Sequence, residues 1–256
     1  MSRTSSGDAP GVPRRRIPLL LYHVRPNDDP WHGVAPWLRR RVPDLLAVIG
    51  HGPAAGGDEP VPGAPLEVLA VVRVRPSPAL EAALPVAFTR RLRGQRSQLR
   101  LVEAHRLGWL PPSVCQQSLL AGAILLWGDA AALRVIPNWR PDQLDPRLAL
   151  DEQDDAEADL AAGWSALAAY RAAGALLIAR RRYEPRFDRR ATALRLAWPE
   201  APPLPRMPAA EEANTFVATA RRLLHDWLFT WEGDGLGAPA LTRYTAMWRA
   251  ARALTP

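Results

Sequence analysis

Short apolar runs, interrupted by Gly, Pro and charged residues, dominate the first half of the chain. Leu45–Ile49 ends at Gly50-His51-Gly52, the pattern of a buried strand entering a Gly turn. A Gly- and Pro-rich loop follows, and Leu66–Arg73, rich in β-branched residues, predicts a second strand. Gln98–Ala104 alternates polar and apolar positions, the period-2 mark of a half-buried strand. Ala121–Trp127 predicts a fourth strand, closed by Gly128 and Asp129. Helical spacing fills the gaps. Trp31, Val34, Leu38 and Val42 repeat at helical intervals ahead of Pro43. Ala79–Arg93 reads as a helix that Pro85 should break, and Pro111-Pro112-Ser113 opens another.

After Pro146 the period becomes helical throughout. Acids from Asp151 to Glu157 suit the start of a helix, and Arg180–Arg182 suit its end. One helix is therefore expected through Leu160, Trp164, Leu167, Leu176 and Leu177, the longest of the chain, with Ala173-Gly174 allowing close packing. Arg189–Trp198, Glu211–Trp231 and Leu241–Leu254 predict further helices, and no strand is expected beyond Asp151. No internal repeat is visible. The expected organisation is a mobile tail over 1–15, an α/β domain over 16–148 and a helical domain over 149–256.

The 256 residues leave room for one large or two small domains, and 48% hydrophobic residues exclude a mainly disordered chain. The longest apolar runs (Ile17–Tyr22, Leu66–Val72, Ala121–Trp127) fall well short of the roughly 20 residues of a membrane helix. The first of them follows Arg14–Arg16 and leads to no small-residue cleavage site, so a cytoplasmic protein without a membrane partner is expected. The net charge is +7, and all 33 basic residues are arginine. With 27 Pro and abundant Ala, this points to the coding bias of a GC-rich, bacterial genome, and it weakens a functional reading of any one arginine. The arginines are spread along the chain, as on a solvated face.

A single cysteine, Cys115, excludes a disulfide framework and a Cys-cluster metal site, and reads as a small buried hydrophobe. The five histidines show no HExxH or paired ligand spacing, and no Ser/His/Asp or Cys/His set has a credible spacing. Of the ten Trp, Trp127, Trp164, Trp198, Trp227 and Trp231 fall in or beside apolar elements and read as packing. Trp31, Trp37, Trp109 and Trp139 lie near loops, where a Trp can stack on a base. Arg180–Arg182 and Arg189-Arg190 surround Tyr183; a cationic helix end is preferred there to a nucleic-acid contact.

The order of elements and the residues of Leu45–Gly52, Pro65–Val72, Leu99–Val102 and Ile124–Asp129 resemble the nucleotidyltransferase superfamily of the kanamycin and minimal nucleotidyltransferase type. The stretch from Ala175 to Pro185 resembles the helical domain that often follows it. The resemblance covers about Asp44 to Pro199. It implies an α+β fold: a mixed sheet with flanking helices, then an all-α bundle. In that family an Asp-x-Asp on the second strand and a third Asp on its neighbour hold two Mg²⁺ ions, which clamp the attacking and leaving oxygens of an in-line displacement. Two carboxylates two residues apart on one strand face the same side.

Here Pro65 stands at the first carboxylate position, Glu67 at the second and Arg100 at the third, while His51 replaces the turn serine. The resemblance thus leaves Glu67 as the one carboxylate for chemistry. Gly50, His51, Gly52 and Arg100 are left as candidates to hold a phosphate, and no metal ligand set is assigned. The expected function is a nucleotidyltransferase-family protein with an eroded metal site that binds a nucleotide, nucleic acid or protein partner through the old cleft, its cofactor unidentified. The alternatives are an active Mg²⁺-dependent enzyme that recruits Glu103 or Asp58, and a structural protein, such as half of an oligomer that buries the cleft.

Overall fold

The computed structural model describes residues 31–55, 61–92 and 95–230. The predicted tail over 1–15, Asp58, Glu59, Trp231 and the predicted helix Leu241–Leu254 lie outside the described residues. The chain divides into two compact units, the break falling between Leu144 and Asp145.

The first unit is a four-stranded mixed sheet in the order β3-β2-β1-β4, with β1 Leu45–His51, β2 Leu66–Val72, β3 Ser97–Glu103 and β4 Ile124–Gly128. β1 pairs antiparallel with both β2 and β4, while β2 and β3 run parallel. The three expected strands thus share one sheet, and the fold class is α+β. Parallel strands need a crossover, which α2 (Pro78–Arg91) supplies.

Strand alternation gives the sheet two apolar faces. Val48, Leu66, Val68, Ala70, Val72 and Leu99 meet α1 (Val34–Arg39) and α2 through Trp37, Leu38, Leu84 and Phe88. Ala47, Ile49, Leu69 and Val71 meet Leu119 of α3 (Val114–Gly122) and Leu133 of the short α4 (Ala131–Arg134). The sheet is therefore covered on both sides, and β1 and β2 read as continuous apolar runs.

Several expectations need correcting. Helix α2 runs unbroken through Pro85, because buried Leu84 and Phe88 fix it against the sheet and Ser77 caps its start. Ala121 and Gly122 end α3, so β4 begins only at Ile124. Gly50 and His51 belong to strand β1, and the turn starts at Gly52, with φ +81°. Trp31 and Trp37 are core residues rather than base-stacking platforms, whereas Trp109 is 85% exposed.

The described part of the second unit is helical: α5 Leu148–Ala161, α6 Ser165–Ala179, α7 Phe187–Ala197 and α8 Ala210–Thr230. The single long helix expected through Trp164 is two helices. Gly163 adopts φ +83° between them, a left-handed geometry open to glycine at low cost and incompatible with a continuing helix. Among the described residues α8 is the longest helix. Helix α6 is apolar on nearly every face and forms the centre of this unit. Arg190 of α7 is only 2% exposed and lies against it. Its guanidinium donates to the carbonyls of Tyr170 (2.7 Å) and Glu184 (2.8 Å) and to the Tyr183 hydroxyl (2.7 Å). A Cβ on Gly174 would meet that guanidinium at 2.9 Å, so the small residue serves a side chain rather than a helix backbone.

Two substitutions test this account. Gly128 has φ +98°, and a Cβ there would meet the Leu46 carbonyl oxygen at 2.2 Å. Gly128→Ala should destabilise the first unit by about 2 kcal/mol or more, from strain together with the backbone clash. Arg190→Ala should cost the second unit about 3 kcal/mol, from lost packing and the loss of the three hydrogen bonds its guanidinium donates. Chemical denaturation of each variant reads both; a loss below about 0.5 kcal/mol in either would refute the corresponding assignment.

Candidate functional site

His51 and Glu67 are direct partners in the β1–β2 register. Both lie on the α3-covered side, because Gly50 and Val68 occupy the opposite one. His51 Nδ1 is 3.0 Å from Glu67 Oε2, and the imidazole is 2% exposed. The flanking glycines make room on both faces, Gly52 for this pair and Gly50 for the Trp31 ring. A Cβ on Gly50 would meet the Trp31 ring at 2.7 Å, and one on Gly52 would meet the Glu67 carboxyl carbon at 2.9 Å.

Helix α3 supplies the rest of the pocket. Its N-cap, Ser113, accepts from the N–H of Gln116 through Oγ, and the cap carbonyl accepts from Gln117. Cys115 and Ser118 are one turn apart and share a face. Cys115 Sγ lies 4.0 Å from His51 Nε2, and Ser118 Oγ lies 3.3 Å from His51 Nδ1. The imidazole is thus bracketed: a carboxylate and a hydroxyl stand on its Nδ1 side, and a thiol on its Nε2 side. Cys115 is half-buried rather than sealed in the core.

Burial disfavours a charged imidazole and pulls its pKa down, but this is outweighed. Hydrogen bonds to Cys115 and Glu67, and the charges of both groups, push His51 up from 6.5 to about 9. At neutral pH it is an imidazolium, with an N–H directed at each neighbour.

The sequence-derived candidates divide. Gly50, His51, Gly52 and Glu67 come together at one end of the β1–β2 hairpin. Arg100 lies across from Leu69 on β3, two residues beyond Gln98, which is the partner of Glu67. Its side chain is exposed and makes no ion pair among the described residues, so it does not bridge to Glu67. Glu103 sits across from Val72 and pairs with Arg106 at 3.0 Å. Five residues of strand separate it from Gln98, roughly 16 Å, so it does not join Glu67. Among the described residues no group of three or more His, Cys, Asp or Glu side chains is arranged to hold a metal ion. Sequence reasoning missed Cys115 and Ser118. The i, i+3 spacing behind the Ser113 cap was the available signal, but only tertiary packing reveals that this face meets His51.

No family profile matches the chain, and no curated protein does. Solved structures offer partial likenesses. A mutant of the MntA–HpeT toxin–antitoxin shares 17% identity over 40% of this chain and 75% of that one, with a TM-score of 0.31. A toxin–antitoxin crystallised with AMP-PNP shares 15% identity over 41% and 78%, with a TM-score of 0.32. Among the described residues no helix is long and apolar enough to cross a membrane.

The raised histidine predicts a pH dependence of stability. The folded pKa lies above the unfolded value, so the contribution is whole below about pH 6.5 and is lost as pH rises towards 9. Chemical denaturation should show the first unit losing stability across that window. In Glu67→Gln the slope should shrink; an unchanged slope would show that Glu67 does not hold the charge.

Proposed function

We propose that the first unit is a nucleotidyltransferase-like domain that has lost two-metal chemistry and binds a nucleotide through its phosphates without transferring it. The observation that carries this reading is the His51–Glu67 contact at 3.0 Å. Glu67 is the one carboxylate at the three positions where the resemblance expects metal ligands, and an imidazolium holds it.

A pair of Mg²⁺ ions needs several hard oxygen donors converging on one point. The donor set here does not fit them. Pro65 offers no side-chain donor, Arg100 brings a fixed positive charge to the third position, and Glu103 is committed to Arg106 at the far end of β3. The same substitution supports a phosphate instead. Arg100 is exposed, and strand alternation puts it on the face that carries Glu67 and His51. Its planar guanidinium suits a phosphate, which it can contact in bidentate fashion.

Calorimetric titration with ATP tests this directly. Binding should be the same with Mg²⁺ or with a chelator, and Arg100→Ala should weaken it by about tenfold or more. Tightening by Mg²⁺ that is abolished in Glu67→Ala, or transfer of a labelled nucleotidyl group to any acceptor, would overturn the proposal in favour of a working enzyme. Selective binding of RNA or of a protein partner without ATP binding would overturn the choice of ligand.

A further inference from the structure

We infer that Cys115, His51 and Glu67 form a nucleophilic relay that accepts an acyl group from an activated ester or thioester. This inference goes beyond nucleotide binding and does not rest on it. The three groups are ordered as such a relay requires: thiol, then Nε2 at 4.0 Å, then Nδ1 to carboxylate at 3.0 Å. Glu67 orients the ring and leaves Nε2 aimed at sulfur, the role of the third member in any nucleophile–base pair. The imidazole is 2% exposed and Cys115 is half-buried, so the pair lies at the edge of the packed interior with Nε2 facing the sulfur.

Two further observations select acyl transfer over redox chemistry. Cys115 is the only cysteine in the chain, so no resolving thiol within it can close a disulfide cycle. Cys115 is also the second residue of α3, where Ser113 takes up the N–H groups of Gln116 and Gln117. The N–H groups of Val114 and Cys115 belong to the first turn of the helix, which has no intrahelical acceptors for them, and such donors suit a developing oxyanion.

The step balances simply. The Cys115 thiolate attacks the acyl carbon and a C–S bond forms. The bond to the leaving oxygen or sulfur breaks, and the His51 Nε2 proton passes to that atom. Water then attacks the thioester, giving its proton to neutral His51; a carboxylic acid departs and the thiolate–imidazolium pair returns.

The probe is p-nitrophenyl acetate, with intact-mass analysis of the full chain. The expected result is a burst of one equivalent of p-nitrophenolate and one acetyl group on Cys115, both absent in Cys115→Ser. His51→Gln should slow acylation by about 100-fold and Glu67→Gln by about tenfold. His51 is buried and its variant can fail to fold, so the native chain is also compared with itself unfolded in guanidinium. At about pH 6 the native thiol, facing the His51 ring, should react with iodoacetamide at least about tenfold faster than the unfolded one. A native thiol no faster than the unfolded one, or acylation unchanged in a folded Glu67→Gln protein, would overturn the inference. Neither readout depends on ATP, so failure here leaves the nucleotide-binding proposal standing.

Discussion

The buried contact between His51 and Glu67 sets the terms for everything around it in the first unit. Two polar side chains in direct register on adjacent strands satisfy each other where the apolar face of Ile49, Leu69 and Val71 ends. That pairing fixes the β1–β2 register: a slip of one residue in either strand would carry its polar group to the face packed by Trp37 and Phe88 and leave the other without its partner. It also explains both glycines. Gly52 leaves room for the carboxylate, and Gly50 lets the Trp31 ring close the opposite face. The Gly-His-Gly sequence is therefore a packing solution before it is a ligand loop.

Helix α3 completes the arrangement from outside the hairpin. Its cap at Ser113 starts it at a definite residue, and Leu119 anchors it on the sheet. With both fixed, Cys115 and Ser118 meet the imidazole from one helical turn. The thiol gives the imidazolium a second partner on Nε2, so neither ring nitrogen is left bare in a low-dielectric setting.

Much of the sheet was legible in the sequence. Leu45–Ile49, Leu66–Arg73 and Gln98–Ala104 carried their periods plainly because both faces of the sheet are covered and each strand is bounded by Gly, Pro or charge. The breaks were less legible. Pro85 lies in a helix that packing holds together, and Gly163 interrupts a run whose apolar spacing continues across it, so local pattern misled in opposite directions. The candidate site was half legible. Resemblance picked out Gly50, His51, Gly52 and Glu67, but it aligned Arg100 by strand order, and strand order does not say which side chain a residue meets. Cys115 was read as a hydrophobe because a lone cysteine carries no pattern. Its meaning depends on a histidine 64 residues away.

Stability alone does not account for the His51–Glu67 pair. A buried ion pair contributes little net stability, because desolvating both groups offsets their attraction, and an apolar pair of equal volume would fold as well or better. A purely structural role would favour such residues here, where Ile49 and Leu69 already line the same face. The pair is placed at one end of the β1–β2 hairpin, beside the half-buried Cys115. A polar pair at that end keeps an imidazole charged and oriented next to a thiol, which an apolar pair cannot do. The same commitment withdraws Glu67 from any cation. The imidazole of His51 and the carboxylate of Glu67 are set against each other by one register pair, so a change at either position alters the setting of both.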